Sequence, residues 1–316
     1  MTAFDNSAAA MPLETAPSLN QEAKKIVLIT GASRGLGLAL TQRLLDDDRY
    51  FLILTARASS LPRFENQLIF ETKDTLIRQL DVTDHLEVLA LMSEINSRFG
   101  GVDILINNAG LIDRSAVEES STERRIRLLE VNYLAPFDLI SLVLSSMRKK
   151  NTGRIINISS AGGFMAMPTM AAYNASKFAL EGASEALWYE VKPWGIHVTL
   201  VIPGFINSMG FLHTTESPRC KQSIGDKNST YHEHYINMKN MIFNKMTRSH
   251  SSNEFIARKI VKLMAKKNPP LRAYATLDAR FFNLLKRICP QKLYHIIMYW
   301  LLPNVGSWGK QKHRKR

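Results

Sequence analysis

The chain has 316 residues, 45% of them hydrophobic, and a formal net charge of +13; that length holds one large α/β domain or two small ones at ordinary globular composition. Only two cysteines occur, Cys220 and Cys289, which excludes a disulfide framework and a cysteine-built metal site and fits a reducing, cytoplasmic setting. Residues 1–250 carry 26 bases and 26 acids, whereas residues 251–316 carry 15 bases against Glu254 and Asp278, so the excess sits in the last fifth of the chain and suits either an anionic partner or a solvated face.

Residues 1–23, rich in Ala, Ser, Pro, Asn and Gln, lack an apolar run behind a basic start and read as a flexible leader. Residues 26–30 are a short apolar run, the pattern of a buried parallel strand. Gly31, Gly35 and Gly37 follow at once, and residues 38–45 have helical spacing. Strand, glycine turn and helix make a phosphate-binding arrangement: the glycines admit a pyrophosphate, and the helix N-terminus supplies N–H groups and a favourable dipole. An ordinary strand-to-helix turn is the alternative. The second strand, 51–55, ends in Ala56 and Arg57 rather than in an acid. An acid there would hold the ribose hydroxyls of NAD, whereas Arg57 with Arg34 suits a 2′-phosphate and points to NADP(H).

A third strand, 76–80, ends at Asp81 and Val82, and Thr83 or Asp84 can cap a helix that runs to about Arg98. The fourth, 103–106, leads into Asn107-Asn108-Ala109-Gly110. A long helical pattern over 121–149 contains Asn132, and Pro136 should kink or break it. Residues 154–158 and 196–201 are the fifth and sixth strands, the latter ending at Pro203 and Gly204, and 272–275 is a candidate seventh. Alternating short strands and amphipathic helices predict an α/β fold, a doubly wound parallel sheet in one domain over 24–275, with an extension over 276–316. Ligands should lie at the carboxyl ends of the strands.

The strand 154–158 delivers Ser159 and Ser160, and the helix expected over 173–191 carries Tyr173 and Lys177 on one face. A free phenol, with a pKa near 10, is a poor base at neutral pH. A nearby ammonium pulls that value down, and a strand-end hydroxyl can hold a substrate oxygen against the phenol. Together they make a proton-transfer site for a carbonyl or an alcohol. A packed ring and a solvated charge would look the same in isolation.

The run Thr30-Gly31-Ala-Ser-Arg-Gly35-Leu-Gly37, the Asn107-Asn108-Ala109-Gly110 stretch and the ordered set Asn132, Ser160, Tyr173 and Lys177 resemble the short-chain dehydrogenase/reductase family over roughly residues 24–275. The likeness is to its compact Rossmann-fold branch with a TGxxxGxG turn and a YxxxK helix. Ser160 rather than Ser159 matches, thirteen residues before the tyrosine. The resemblance implies that Tyr173 exchanges a proton with the carbonyl oxygen, and that Ser160 bonds that oxygen. It implies that Lys177 lowers the Tyr173 pKa and binds the nicotinamide ribose, and that Asn132 holds a water linking Lys177 to solvent. The implied dinucleotide site uses Gly31, Ser33, Arg34, Gly35, Leu36 and Gly37 at the phosphates, and Asp81 and Val82 at the adenine. Asn108, Ala109 and Gly110 would line the groove, and Pro203, Gly204 and Ile206 the nicotinamide. Ser208 stands where the family often has a threonine. A homodimer or homotetramer through 121–149 and 173–191 is also implied. A further likeness, to hydroxysteroid and retinol dehydrogenases, rests on Lys177-Phe-Ala-Leu-Glu-Gly182 and the C-terminal extension and assigns no substrate.

The expectation is an NADP(H)-dependent oxidoreductase that interconverts a lipophilic ketone or aldehyde and its alcohol. The alternatives are an NAD-dependent alcohol dehydrogenase and a non-catalytic dinucleotide-binding protein tethered to a membrane. Between Gly204 and about Ser252, Phe205, Met209, Phe211, Leu212, Met238, Met241, Ile242 and Phe243 either wall an adaptable apolar pocket or pack helices. His213, His232, His234 and His250 show no ligand spacing. Residues 281–302 are apolar and aromatic, but Lys286, Arg287, Pro290 and Lys292 interrupt them, and the unbroken part, 293–302, is too short to span a bilayer. Followed by Lys310-Gln-Lys-His-Arg-Lys-Arg316, this stretch is a candidate for an anionic membrane interface, or for docking on its own domain. So short a basic tail lacks a nucleic-acid reading module, and no nucleic-acid partner is expected.

Overall fold

The computed structural model describes residues 24–208 and 214–309, and the expected leader 1–23 lies outside them. Among the described residues nine strands occur: β1 (Lys25–Ile29), β2 (Tyr50–Ala56), β3 (Thr75–Gln79), β4 (Ile104–Asn107), β5 (Asp113–Arg114), β6 (Gly153–Ile158), β7 (Ile196–Ile202), β8 (Thr215–Glu216) and β9 (Arg272–Tyr274). Seven form one parallel sheet in the order β3-β2-β1-β4-β6-β7-β9, and β5 pairs with β8 in a small ribbon beside it. The expected doubly wound sheet is what forms, including its seventh strand. The order reverses between β1 and β4, which opens a crevice at the carboxyl ends of those strands.

The sheet is covered on both faces, and the strand sequences show why. Val27 and Ile29 of β1 face one core, while Ile26 and Leu28 face the other, as the twofold alternation of a strand requires. Helices α1 (Gly35–Leu44) and α9 (Asn253–Ala265) cover the first face with Leu40, Leu44, Ile256 and Ile260. The short α2 (Pro62–Glu65) follows β2 and buries Phe64 there. On the opposite face lie α3 (His85–Phe99), α5 (Ala135–Lys150) and α6 (Ala171–Val191), which contribute Leu91, Ile95, Ile140, Val143 and Leu187. Asp84 caps α3 as expected, its carboxylate accepting from the Leu86 and Glu87 N–H groups.

The long pattern around Pro136 is resolved by widening the helix rather than breaking it. Helix α4 (Thr122–Leu129) passes through a π-helical turn, Glu130–Leu134, into α5, with Pro136 in the first turn of α5. A proline has no N–H for the carbonyl four residues back, and the π turn takes up that mismatch. Asn132 lies inside this turn, fully buried. The continuous run Thr122–Lys150 is long and apolar enough to cross a membrane, with a window hydropathy of 1.4. Its buried stripe, however, packs on the sheet.

Helices α7 (Pro218–Gly225) and α8 (His232–Thr247) lie over the carboxyl ends of the strands, followed after β9 by α10 (Leu277–Ile288) and α11 (Gln291–Trp300). The extension from 276 onward is stitched to the domain. The Gly204 N–H donates to Thr276 Oγ1 at 2.8 Å, the Phe205 N–H donates to Asp278 Oδ2 at 2.8 Å, and Lys286 Nζ donates to the Phe164 carbonyl at 2.5 Å.

Candidate active site

The glycine turn is held open by its neighbours. A Cβ on Gly37 would overlap the Gly31 carbonyl oxygen and Asn108 Nδ2. Asn108 uses that amide to bond the Thr30 and Gly31 carbonyls, both at 3.0 Å, and the Asn108 and Ala109 N–H groups donate to Thr30 Oγ1. The 108–110 segment is thereby locked against the turn, and the two form opposite walls of one groove. The groove is lined by Gly31, Ser33, Arg34, Gly35, Leu36, Arg57, Asp81, Val82, Asn108, Ala109 and Gly110, so the sequence-expected dinucleotide residues of this half come together. Gly37 lies beneath it as packing.

The far end of the groove is cationic. Arg34 is half-buried, and burial together with the charges of Arg63 and Arg57 lowers its pKa. Among the described residues none of these three arginines has a carboxylate at ion-pair distance. Arg57 and Arg63 lie close enough to lower the Arg34 pKa, and three such cations without an ion-pair partner can hold an anionic group. Arg63 escaped the sequence reading, because it sits on the four-residue α2, outside any motif. Asp81 accepts from the Thr83 N–H and hydroxyl at 3.0 and 2.8 Å. Burial raises its pKa, but those two bonds and the charges of Arg127 and Arg57 outweigh it, and the carboxyl lies below its usual range.

Across the groove from the arginines, β6 ends at Ser159 and Ser160, which diverge. Ser159 Oγ donates to Glu181 Oε1 at 2.9 Å in the buried interior. Ser160 caps the turn that follows, accepting from the Gly162 N–H at 3.1 Å, and is hydrogen-bonded to the Tyr173 phenol. Tyr173 and Lys177 are both buried on α6. Lys177 Nζ donates to the Ile158 carbonyl at 2.8 Å. Burial lowers the Lys177 pKa to about 8, against a contrary pull from Glu181. The expected depression of the phenol by Lys177 is not what the structure shows. Burial raises the Tyr173 pKa, and the Ser160 bond acts in the opposite direction.

Asn132 joins these parts. Its Oδ1 accepts from the Leu111 N–H, and its Nδ2 donates to the Leu111 carbonyl and to Ser176 Oγ, each at 2.9 Å. Ser176 in turn donates to the Tyr173 carbonyl at 2.7 Å. Asn132 therefore clamps the groove wall to the helix that carries the tyrosine.

A cavity of about 290 Å³ opens over Ser160, Tyr173 and Lys177. It shares Leu36, Asn108, Gly110, Leu111 and Ile112 with the groove, so the two are continuous. Pro203, Gly204, Ile206 and Ser208 line it, as does Phe205. Of the residues weighed for an apolar pocket, Ile242 lines the cavity, whereas Met238 is packed in the interior and Phe243 is exposed. Met209, Phe211, Leu212 and His213 lie outside the described residues. Met165, Met167, Met170 and Met246 supply walls that no motif marked, and Asp278 reaches in from α10. His234 stacks on Trp308 with ring centroids 4.5 Å apart, and His232 Nδ1 lies 3.2 Å from the Ser223 carbonyl oxygen.

Comparison with known proteins accords with this geometry. The family model described as short chain dehydrogenase matches residues 25–217. A 3-ketodihydrosphingosine reductase of Bacteroides thetaiotaomicron is 36% identical over 248 residues, 78% of this chain and 86% of that protein. A short-chain dehydrogenase from Streptomyces avermitilis superimposes with a TM-score of 0.75 at 27% identity, over 89% of this chain and 97% of that one. Two further solved neighbours hold a dinucleotide. One, from Burkholderia phymatum, contains NAD (21% identity, TM-score 0.66, 79% and 88% of the two chains). The other, ElxO, contains NADP (26%, 0.59, 76% and 91%). The matched region holds the glycine turn, the strand-end serine and the Tyr–Lys helix in one continuous site, and on that footing the chain belongs to the short-chain dehydrogenase family, an oxidoreductase acting on CH–OH groups.

Proposed function

We propose that the protein is an NADP(H)-dependent oxidoreductase that reduces a lipophilic ketone or aldehyde to its alcohol, and reverses that reaction when the alcohol is supplied. The observation that carries this reading is the placement of a buried, Ser160-bonded Tyr173 at the junction of the dinucleotide groove and an apolar, methionine-rich cavity. The Arg34, Arg57 and Arg63 cluster supports the phosphorylated dinucleotide, and the groove fits it at both the glycine turn and the cationic end. When bound, the dinucleotide supplies the hydride for the carbonyl carbon.

The chain's own residues have separable tasks. Ser160 holds the carbonyl oxygen beside the phenol, and Tyr173 gives that oxygen its proton. Lys177, charged below about pH 8, favours the phenolate that remains and returns a proton toward it. Asn132 fixes the 108–111 wall relative to α6. The methionines and Phe205 exclude water and accept an alkyl chain of variable shape. The long-chain ketone in the name of the Bacteroides relative has the required chemistry, a carbonyl flanked by an apolar tail.

The test is NADPH oxidation over a panel of apolar ketones, with Tyr173→Phe run beside the wild type. Loss of about 10²- to 10⁴-fold in kcat with NADPH binding retained is expected for removal of a general acid. Turnover unchanged in the variant would remove Tyr173 from the mechanism.

A further inference from the structure

Helix α10 has two faces of unlike fate. Its inner side is used: Ala279 is buried and Phe282 packs against the core beneath the cavity. Its outer side is not. Leu277, Phe281, Leu284 and Ile288 fall at helical spacing along one stripe and are 80%, 58%, 56% and 70% exposed. Helix α11 repeats the pattern, with Tyr294 and Met298 turned inward while Leu293, Ile296 and Trp300 lie exposed. A contiguous exposed apolar surface of this kind marks a place of contact.

The charge around the stripes says what the contact is with. Arg280, Arg287 and Lys292 are exposed along the two helices, the Lys286 ammonium being tied back to the Phe164 carbonyl, and no acidic residue occurs from 279 to 309. The one acid of α10, Asp278, is turned inward onto the Phe205 N–H. A second copy of this chain meeting the surface about a twofold axis would set these bases against their own equivalents, with no carboxylate to pair them. A nucleic acid would leave the apolar stripe in water. Apolar side chains flanked by bases, with Tyr299 and Trp300 at the end of α11, have instead the chemistry of an amphipathic helix in the headgroup region of an anionic bilayer.

We infer that α10 and α11 seat the protein on an anionic lipid surface as a peripheral, non-spanning protein. The placement has a functional consequence. The stripe begins at Leu277, next to the residue that lines the substrate cavity, so the apolar site would be loaded close to the bilayer rather than through bulk water.

The test is sedimentation of the full chain with vesicles of phosphatidylcholine alone and of phosphatidylcholine mixed with phosphatidylglycerol. The wild type should pellet with the mixed vesicles, remain in solution with the neutral ones, and be released by raised salt. The exposed-residue variant Phe281→Ser/Leu284→Ser/Ile288→Ser should keep its NADPH binding and lose at least about tenfold in partitioning, as expected for removing three apolar side chains that the bilayer would take from water. Arg287→Gln/Lys292→Gln should lose about thirtyfold, the factor for two bases near such a surface. The inference is overturned if the wild type stays in solution with anionic vesicles, or if the triple variant pellets as well as the wild type. It is also overturned if the wild type is a dimer in the absence of vesicles that the triple variant dissociates, since the stripe would then be a contact between copies. NADPH binding in every sample keeps these outcomes separate from any failure of the proposed reaction.

Discussion

Lys177 should separate stability from activity. Burial on α6 brings its ammonium from an ordinary 10.5 down to about 8, so holding the charge there costs the folded state about 3 kcal/mol relative to the unfolded chain. The bond from Nζ to the Ile158 carbonyl returns about 1.5–3 kcal/mol. Lys177→Met removes both contributions, so at neutral pH the variant should unfold within about 1–2 kcal/mol of the wild type, in either direction. Turnover should nevertheless be lost. The pH dependence carries the sharper test. Below about pH 8 both folded and unfolded lysine are protonated, and the stability curves of the two proteins run parallel. Between about 8 and 10.5 the folded wild type has given up a proton that its unfolded chain still binds. Wild-type stability therefore rises relative to the variant as pH climbs, with a slope approaching about 1.4 kcal/mol per pH unit. Urea unfolding of both proteins from about pH 7 to about pH 10, taken as a difference so that other titrating groups cancel, reads this directly. Parallel curves across the whole interval would refute the assignment of a desolvated lysine beside Tyr173.

Two other expectations concern the cofactor and the paired serines. Arg57→Asp should weaken NADP(H) binding about tenfold or more and improve NAD(H), while Arg63→Ala should weaken NADP(H) by a smaller factor of about five, in line with roughly 1 kcal/mol for a partly exposed charge contact. Titration of cofactor binding checks both, and an unchanged preference in Arg57→Asp would leave the NADP(H) reading without its basis. Ser160→Ala should lower kcat about 10²-fold while leaving unfolding almost unchanged. Ser159→Ala should do the reverse, losing about 1–2 kcal/mol of stability through the buried Glu181 carboxyl it leaves short of a donor. Steady-state kinetics beside thermal unfolding separate the two, and an inverted pattern would exchange their roles.

Much of this was legible because it is local. The strands of a parallel sheet buried on both faces are continuous apolar runs, and their ends are marked by the residues that do chemistry: glycines after β1, Arg57 after β2, Asp81 after β3, Ser160 after β6. What escaped the sequence depends on chain brought together from afar. Arg63 joins the cationic end only because α2 folds back toward the glycine turn, and nothing in its neighbours marks that. The cavity methionines 165, 167 and 170 lie in an irregular turn without periodicity. Helix α9 shares a face of the sheet with α1 and begins behind the Ser252 cap, just past the segment read as a pocket wall or helix packing, where the sequence reading placed no element. Asp278 looks in sequence like any acid in the first turn of a helix. The Ser159/Ser160 choice, by contrast, rests on the spacing to Tyr173, and in the structure the Ser159 hydroxyl turns to the buried Glu181 while Ser160 lies beside the phenol.

The C-terminal extension then belongs to the site more closely than its position in the chain suggests. Gly204 ends the 203–204 turn beside the cavity, and a Cβ there would overlap the Asp278 carboxylate. The two N–H groups after Pro203 are each taken by α10 or its cap, Gly204 by Thr276 and Phe205 by Asp278. Backbone donors next to a cavity must be satisfied somewhere, and here the partners come from the helix that also carries the exposed apolar stripe. The turn's position, and with it the wall beside Ser160, is therefore tied to how α10 sits. On the inference that α10 rests on a lipid surface, the orientation of the protein on that surface and the shape of its substrate site would follow from the same few contacts.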